Sequence, residues 1–598
     1  MKLRRPLTAA VLAVITLLAG TIVASPARAD LFHPRQTWLR NSAAGLFLHW
    51  GMRTSPGYAT CEAWEKAVTD GGWDPAYWVD EARKLHASYL VLASFHSRLG
   101  YSRPWPSAIP GSCSTKRDFL GELIKAAKDK GEHVILYMTD DPQWHAEGGH
   151  EWLDSAAYSA YKGKTVDLTT RPGFGEFSYD NFVEIMKNYP DLAGFWIDND
   201  NQYWEQNGLY ERIRAERPDM LLSNNNEDTP IMDTVSNEQK TGMVPAYDYP
   251  AAVWTPMPRL TEADFKLPSK GAWWFDGSNP PVDYRLTLGR YVANAGSSIK
   301  NLMAETAMVN GRFPSNQEAF NNFAEGWLDD IWESIHLTEG GGYMYGGLQP
   351  GAWNDGAFGY VTVKKDDPQL EYVHVVTKPA TATEVKLRDN GYKIVRVTDE
   401  RTGERTPFEQ SGGYLTIKGI TNWDQYDTVF RVQTADRQGV YPSESITATA
   451  TAAKAGFPAS NLTDGDYTTY WDADGTFPVS ITLDLGDKNK AEYLAINQRE
   501  WSPTHNRETF GRKEDSARIK DYKLYVSDDG VTWGEPLRAG VMESARAARY
   551  IDLGVKTRYI KLEVDSTWAA PTVPAYYHKL RIDEMRVGWR TPVGHDNH

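Results

Sequence analysis

The chain has 598 residues, too many for one hydrophobic core, and one domain per ~150 residues allows about four. With 41% hydrophobic and 24% charged residues it has an ordinary globular composition, which excludes wholesale disorder. A net charge of −15 argues against a nucleic-acid or anionic-membrane partner, and two cysteines exclude a disulfide framework or a Cys-rich zinc site.

At the N-terminus, Lys2, Arg4 and Arg5 precede an apolar run over residues 9–24 and a small-x-small site at Ala27-Arg28-Ala29. This is the pattern of a cleaved export signal, so residues 1–29 are expected to be removed and the protein secreted, by a route the Arg4-Arg5 pair leaves open. The run is short for a membrane span and no later stretch approaches ~20 apolar residues, so no membrane association is expected. Outside the cell Cys61 and Cys113, both in loops after predicted strands, are expected to form one disulfide; two free thiols are the alternative.

From residue 31 to about 340, short apolar runs alternate with helical patterns. Gly45-Leu-Phe-Leu-His49, Tyr89-Leu-Val-Leu-Ala93, His133-Val-Ile-Leu-Tyr137 and Leu192-Ala-Gly-Phe-Trp196 read as buried strands, and residues 76–85, 117–130 and 179–188 as helices. Such alternation over about 300 residues predicts a TIM-like (β/α) barrel (30–340), with its active site at the strand C-terminal ends. Period-two strands such as Glu371-Tyr-Val-His-Val-Val376 and Tyr414-Leu-Thr-Ile417 then predict a β-sandwich (341–436). A Pro/Ser/Thr/Ala-rich stretch near residues 441–454 marks the boundary of a third, all-β region (437–598).

Polar residues cluster where the barrel strands end: His49-Trp50-Gly51, Ser94-Phe95-His96, Asp140-Asp141 and Asp198-Asn199-Asp200. In a barrel these positions converge on one pocket. Asp140, Asp141, His145, Glu147 and His150 crowd into eleven residues, but the two histidines are five apart and Gly148-Gly149 breaks a helix, so a pocket loop is favoured over a metal site. No cofactor is expected for catalysis, and no motif supports serine or thiol chemistry.

Gly45-Leu-Phe-Leu-His-Trp-Gly51, Phe195-Trp-Ile-Asp198, Asp233-Thr-Val-Ser-Asn-Glu-Gln239 and Glu325-Gly-Trp-Leu328 resemble, in order, motifs of the α-L-fucosidase family of glycoside hydrolases (family 29). The resemblance implies a retaining exo-glycosidase with Asp198 as nucleophile and Glu238 as acid/base, acting on terminal sugars of a glycan. Retaining hydrolysis needs two carboxyl groups ~5–5.5 Å apart, one ionised to attack the anomeric carbon and one protonated to aid departure. Burial or the Asp198 charge is expected to keep the proton on Glu238. Glu227, Asp200 and Asp233 are competing carboxylates, with Asp200 favoured as a supporting or capping residue. His49 and Trp64 match family positions that contact the sugar, and Trp50, His96, Trp144 and His145 are expected beside them. Trp273 and Trp274 are candidates for an apolar wall, core packing being the alternative. Where the family carries a second histidine after the second strand this chain has Ser97, which puts the sugar in question: an α-L-galactoside or arabinoside with the same mechanism is the second reading, and a non-catalytic glycan-binding protein the third.

Asn461-Leu-Thr-Asp-Gly-Asp466, Thr469-Tyr-Trp471, Ile481-Thr-Leu-Asp-Leu-Gly486 and Thr557-Arg-Tyr-Ile-Lys-Leu562 are similar to the family 32 carbohydrate-binding modules, also called discoidin or coagulation factor type C domains. That likeness implies a β-sandwich with a structural Ca²⁺ at Asp464, Asp466, Thr469 and Glu584, an all-oxygen set suited to a hard cation, or an Asp-Gly turn without an ion. Trp501, His505, Arg512 and Trp568, in predicted loops, are the candidates for sugar contact in this module. The composition is unusual in one respect, 22 Trp and 32 Tyr against 19 Phe, which fits surfaces that stack on sugar rings.

Overall fold

The computed structural model describes residues 33–589 other than 141, 143–149, 226–230, 239–259, 341–347, 349–350, 354–356, 368, 389–392, 413, 436–440, 466–468, 499–516, 543–548, 573 and 575–576. The expected signal, residues 1–29, therefore lies outside the described residues. Among the described residues no helix is long and apolar enough to cross a membrane.

Eight parallel strands close into a barrel in chain order. They are β1 (Ala44–His49), β2 (Ala87–Ala93), β3 (His133–Thr139), β4 (Gly194–Asp198), β5 (Leu221–Asn225), β6 (Thr234–Ser236), β7 (Leu260–Lys266) and β8 (Ile299–Glu305), with β8 pairing back to β1. Helices return the chain between most of them. Phe119–Asp129, capped by Asp118, turns Leu120, Leu123, Ile124 and Ala127 inward, the i, i+3, i+4, i+7 spacing of one helix face. Alternation along each strand then splits the apolar residues in two. Leu46, Leu48 and Trp50 join the layer between barrel and helices. Phe47, Tyr89, Ile135, Tyr137, Trp196 and Leu302 fill the barrel itself. Gly45 has a packing reason: a Cβ there would sit 2.3 Å from the Tyr89 ring, which crosses the barrel over it.

Cys61 and Cys113 are bridged. Cys61 opens the helix Cys61–Asp70 instead of lying in a loop, while Cys113 lies in the loop after β2. Buried Arg103 braces that loop by donating to the carbonyls of Ile109 and Ser112 and to Asn181 Oδ1.

Residues 338–434 form sheets of six and three strands around Trp353, Val373, Val385, Leu415 and Phe430. Tyr360, Tyr372 and Val429 of the larger sheet join the apolar layer of the barrel helices, so the two domains share one packed surface. Residues 447–588 form a seven-stranded sheet whose long strands, Val479–Gln498 and Arg549–Val564, shift register between Asp484 and Asn489 and again between Ala491 and Tyr493. Such shifts bend strands and let one sheet fold over a core, here of Leu462, Trp471, Ile481, Leu494, Leu562 and Ile582.

Candidate active site

The barrel strands run parallel, so all their C-terminal ends open on one face, and β1, β3, β4, β5 and β6 deliver polar side chains there. Asp198 is the last residue of β4. Tyr137 Oη donates to its Oδ2 (2.6 Å) and Asn225 Nδ2, at the end of β5, to its Oδ1 (3.0 Å). Donors on both oxygens fix the plane of the carboxylate. Burial, then the Asp198 charge, pushes the Tyr137 phenol well above its ordinary value, so it remains a donor at any working pH.

Glu238 lies two residues past β6, half-buried, and the same Asn225 Nδ2 donates to its Oε2 at 3.5 Å. The two carboxylate oxygens are thus no farther apart than the sum of those two hydrogen bonds. That span reaches a retaining pair's ~5–5.5 Å and stops at the bottom of the ~6.5–9.5 Å range of an inverting pair.

Two of the three competing carboxylates are engaged elsewhere. Asp233 precedes β6 at the opposite end of the barrel, where Arg35 and Arg214 each bond it at 2.7 Å. Asp200 accepts from Tyr210 Oη (2.8 Å) and from the Asn201 N–H (2.7 Å), while the cap of the helix that follows is Asn201, not Asp200. Glu227 lies outside the described residues. Behind the pocket Asp140 pairs with Arg171 and accepts from Asn199 Nδ2 (3.0 Å). Asn199 follows Asp198 with φ 67°, a left-handed conformation in which asparagine is one of the more tolerated side chains.

His49, at the end of β1, is buried. Burial and the nearby His96 hold its imidazole well below the usual range, so it is neutral at pH 7. Its ring lies 6.1 Å from that of His96 and 5.5 Å from that of Trp273, and Trp274 stands 6.0 Å from His96. His96 Nδ1 accepts from the Arg98 N–H (3.1 Å), which puts the proton of the neutral ring on Nε2 as a donor. Ser97 is buried in the short 3-10 turn that His96 caps. His49 Nδ1, Ser223 Oγ and Asn225 Oδ1 are buried without a hydrogen-bond partner among the described residues, orphans that water or ligand hydroxyls would satisfy.

Two expected sugar contacts are corrected. Trp50 and Trp64 have no exposed surface: they pack 5.0 Å apart with Trp73, Trp78 and Phe119 between barrel and helices. Trp50 follows His49 and so points to the opposite side of the strand, away from the pocket. Trp144 and His145 lie outside the described residues.

The sequence reading missed three groups. Asn225 ends β5 and Tyr137 lies two residues short of the end of β3, with no motif to mark either. Asp264 lies on β7 with Glu262, both buried inside the barrel. Glu262 accepts from Trp196 Nε1 (2.8 Å) and from Tyr89 Oη. Asp264 Oδ1 accepts from Ser236 Oγ at 2.7 Å. Burial, then the charge of Glu238, pushes the Asp264 carboxyl well above the ordinary range.

In the third domain Glu584 is buried and accepts from Ser443 Oγ (3.0 Å) and the Gly465 N–H (3.3 Å). Burial is the main cause that pushes its carboxyl up to about 8, with the Asp464 charge adding to it. Thr469 Oγ1 donates to Asp464 Oδ2 (2.7 Å), and Gly465, next to Asp464, bonds Glu584, so Asp464, Thr469 and Glu584 are neighbours; Asp466 lies outside the described residues. Trp568 is half-buried, its indole N–H donated to the Met542 carbonyl (2.8 Å). Trp501, His505 and Arg512 lie outside the described residues.

A closed (β/α) barrel with two facing carboxylates at its C-terminal mouth defines a glycosidase-like enzyme. The alpha-L-fucosidase family model matches residues 62–250, and the F5/8 type C domain model matches residues 445–575. The chain thus carries an alpha-L-fucosidase-like catalytic domain and a C-terminal F5/8 type C domain. Among solved structures it is similar to a bacterial fucosidase with a monovalent iminocyclitol inhibitor (17% identity, 68% of this chain and 98% of that one, TM-score 0.53). It is similar also to an alpha-L-fucosidase from Bacteroides thetaiotaomicron (17%, 69% and 97%, TM-score 0.52) and to alpha-L-fucosidase isoenzyme 1 from Paenibacillus thiaminolyticus (17%, 67% and 99%, TM-score 0.50). At that identity the likeness speaks for the fold. No curated protein sequence matches the chain.

Proposed function

We propose that this protein is a secreted exo-glycosidase that releases terminal α-L-fucose, with Asp198 as nucleophile and Glu238 as acid/base. The observation that carries the reading is the single amide of Asn225 touching both carboxylates. An Asp198 oxygen attacks the anomeric carbon as the glycosidic C–O bond breaks, and the leaving oxygen takes the Glu238 proton. Glu238 then removes a proton from water, whose oxygen attacks the same carbon and frees Asp198. Neutral His49, His96, Ser223 and Asn225 are polar partners for the sugar's hydroxyls, and Trp273 and Trp274 supply apolar faces beside them.

The test is a panel of aryl α-L-fucosides, galactosides and arabinosides with the wild type and Asp198→Ala. The fucoside is expected to be preferred, and Asp198→Ala to lose hydrolysis but form a β-glycosyl azide when azide fills the vacated face. Preference for another glycoside, which the buried Ser97 motivates, keeps the mechanism and changes the sugar. An unchanged rate in Asp198→Ala refutes the nucleophile.

The C-terminal domain is read as a glycan-binding module with a structural Ca²⁺. Glu584 beside Asp464 is a buried carboxylate whose charge is disfavoured as it stands, and a divalent cation would relieve both. Asp464, Thr469 and Glu584, with Asp466, would hold it. The leader pattern and the Cys61–Cys113 bridge support export to an oxidising compartment.

A further inference from the structure

We propose that Arg40, Lys300 and Lys365 form a binding site for one oxyanion group, a sulfate or a phosphate, at the end of the barrel opposite the catalytic mouth. Lys300 is the second residue of β8, so it stands at the strand's N-terminal end, and it is 8% exposed. Lys365 follows the strand Phe358–Lys364 of the second domain, its backbone N–H donated to the Leu337 carbonyl (2.9 Å). Both side chains reach the helix Thr37–Asn41 and donate to the same atom, the Arg40 carbonyl oxygen, each at 2.8 Å. The two ammonium nitrogens are therefore no farther apart than twice that length.

Carbonyls in the last turn of a helix lack intrahelical partners, and one cation is enough to serve such an end. Here two lysines crowd onto one carbonyl. An ammonium has three donors, and each lysine spends one there; the other N–H groups of both have no acceptor among the described residues. Lys364, on the other face of its strand, shows the satisfied alternative, bonded to the carbonyls of His336 (2.8 Å) and Glu333 (3.4 Å). Glu339 is the carboxylate that acts on both Lys300 and Lys365, but its bond is to Arg40 (2.7 Å) and to neither of them. Burial, then the Lys365 charge, pushes the Lys300 ammonium well below its ordinary value, and burial pushes Lys365 down to about 8. An oxyanion that accepts from both lysines at ~2.8 Å bridges the gap between them, fills their idle donors and supplies the missing counter-charge. The place is open to such a group: Lys365 is half-buried, and the side chains of Arg40 and Glu339 keep 30% and 31% of their surface exposed.

The experiment is calorimetric titration of the full chain at mildly acid pH with sulfate, phosphate, methyl galactoside 6-sulfate and the unsulfated galactoside, chloride holding the ionic strength constant. Wild type, Lys365→Gln and Lys300→Met are compared. Lys300→Met keeps the length of a buried side chain, and Lys365→Gln changes a half-exposed one, so both are expected to fold. The wild type is expected to take up one oxyanion per chain with saturation. Each variant removes a charged donor, so its affinity is expected to fall about tenfold or more. Lysine-dependent binding of the sulfated galactoside beside the free ions supports the site as one for an anionic sugar, and such binding of the free ions alone supports it as one for the inorganic anion. No saturable uptake by the wild type, or an affinity unchanged in both variants, overturns the proposal. A lower Tm in the variants with affinity intact is the signature of lysines that only serve the helix end, and overturns it equally.

Discussion

Replacing Glu305 by glutamine should make the barrel more stable at neutral pH and not at acid pH. Glu305 ends β8 on the outer side, fully buried, and neither carboxyl oxygen has a hydrogen-bond partner among the described residues. Burial pushes the carboxyl up to about 8; Glu81 and Glu318 push the same way, while Asn321 and Lys84 oppose them. A group raised in the folded state contributes stability below its unfolded value and loses it as pH rises toward the folded one. At pH 7 the folded chain retains a proton that the unfolded chain has released, a cost of at most roughly 3 kcal/mol at ~1.4 kcal/mol per pH unit. Glutamine never ionises, so Glu305→Gln should match or trail the wild type at pH 4.5 and gain steadily to pH 7. For a barrel of this size, at about 2 °C per kcal/mol, the gain is roughly 6 °C in Tm. Thermal unfolding of both proteins between pH 4.5 and 8 reads it. A Tm difference that does not change with pH would show that Glu305 is not held protonated, and the reasoning would be wrong.

Tyr137→Phe removes one of the two donors to Asp198, and a hydrogen bond to a charged group is worth about 1.5–3 kcal/mol, so kcat/KM should fall roughly 10- to 100-fold with Tm little changed. Trp64→Ala should cost about 3–5 kcal/mol of stability while KM holds, because Trp64 lies in the core; a raised KM with unchanged Tm would restore it as a sugar contact. Opening the Cys61–Cys113 bridge, 52 residues apart in sequence, should cost up to ~4 kcal/mol by chain entropy, read as a lower Tm for Cys61→Ser/Cys113→Ser. Chelation should lower the Tm of the C-terminal domain and added Ca²⁺ restore it, by ~2.7 kcal/mol at a hundredfold excess over Kd; no change in either direction removes the ion from that site.

The strands legible in the sequence were those with continuous apolar runs: β1, β2, β3 and β4 lie within a few residues of their expected places. β5 and β7 carried no such signal. Leu221-Leu-Ser-Asn-Asn225 and Leu260-Thr-Glu-Ala-Asp-Phe-Lys266 put polar groups on the inward face, a pattern that in an open sheet marks the side facing water. The tryptophans misled in the other direction. A motif tied Trp64 to the sugar, and adjacency tied Trp50 to His49, but one residue along a strand is the other face.

The sequence by itself determined the class of architecture and which residues stand at the ends of the first four strands, because helix and strand periodicities and short motifs are local properties of the chain. Only the tertiary structure decided which carboxylates meet. Barrel closure brings Asp198, Asn225 and Glu238 to one mouth, and it sends Asp233, five residues from Glu238, to the opposite end between two arginines. A side chain's charge state and partners depend on burial and on neighbours in space, and no spacing along the chain encodes those.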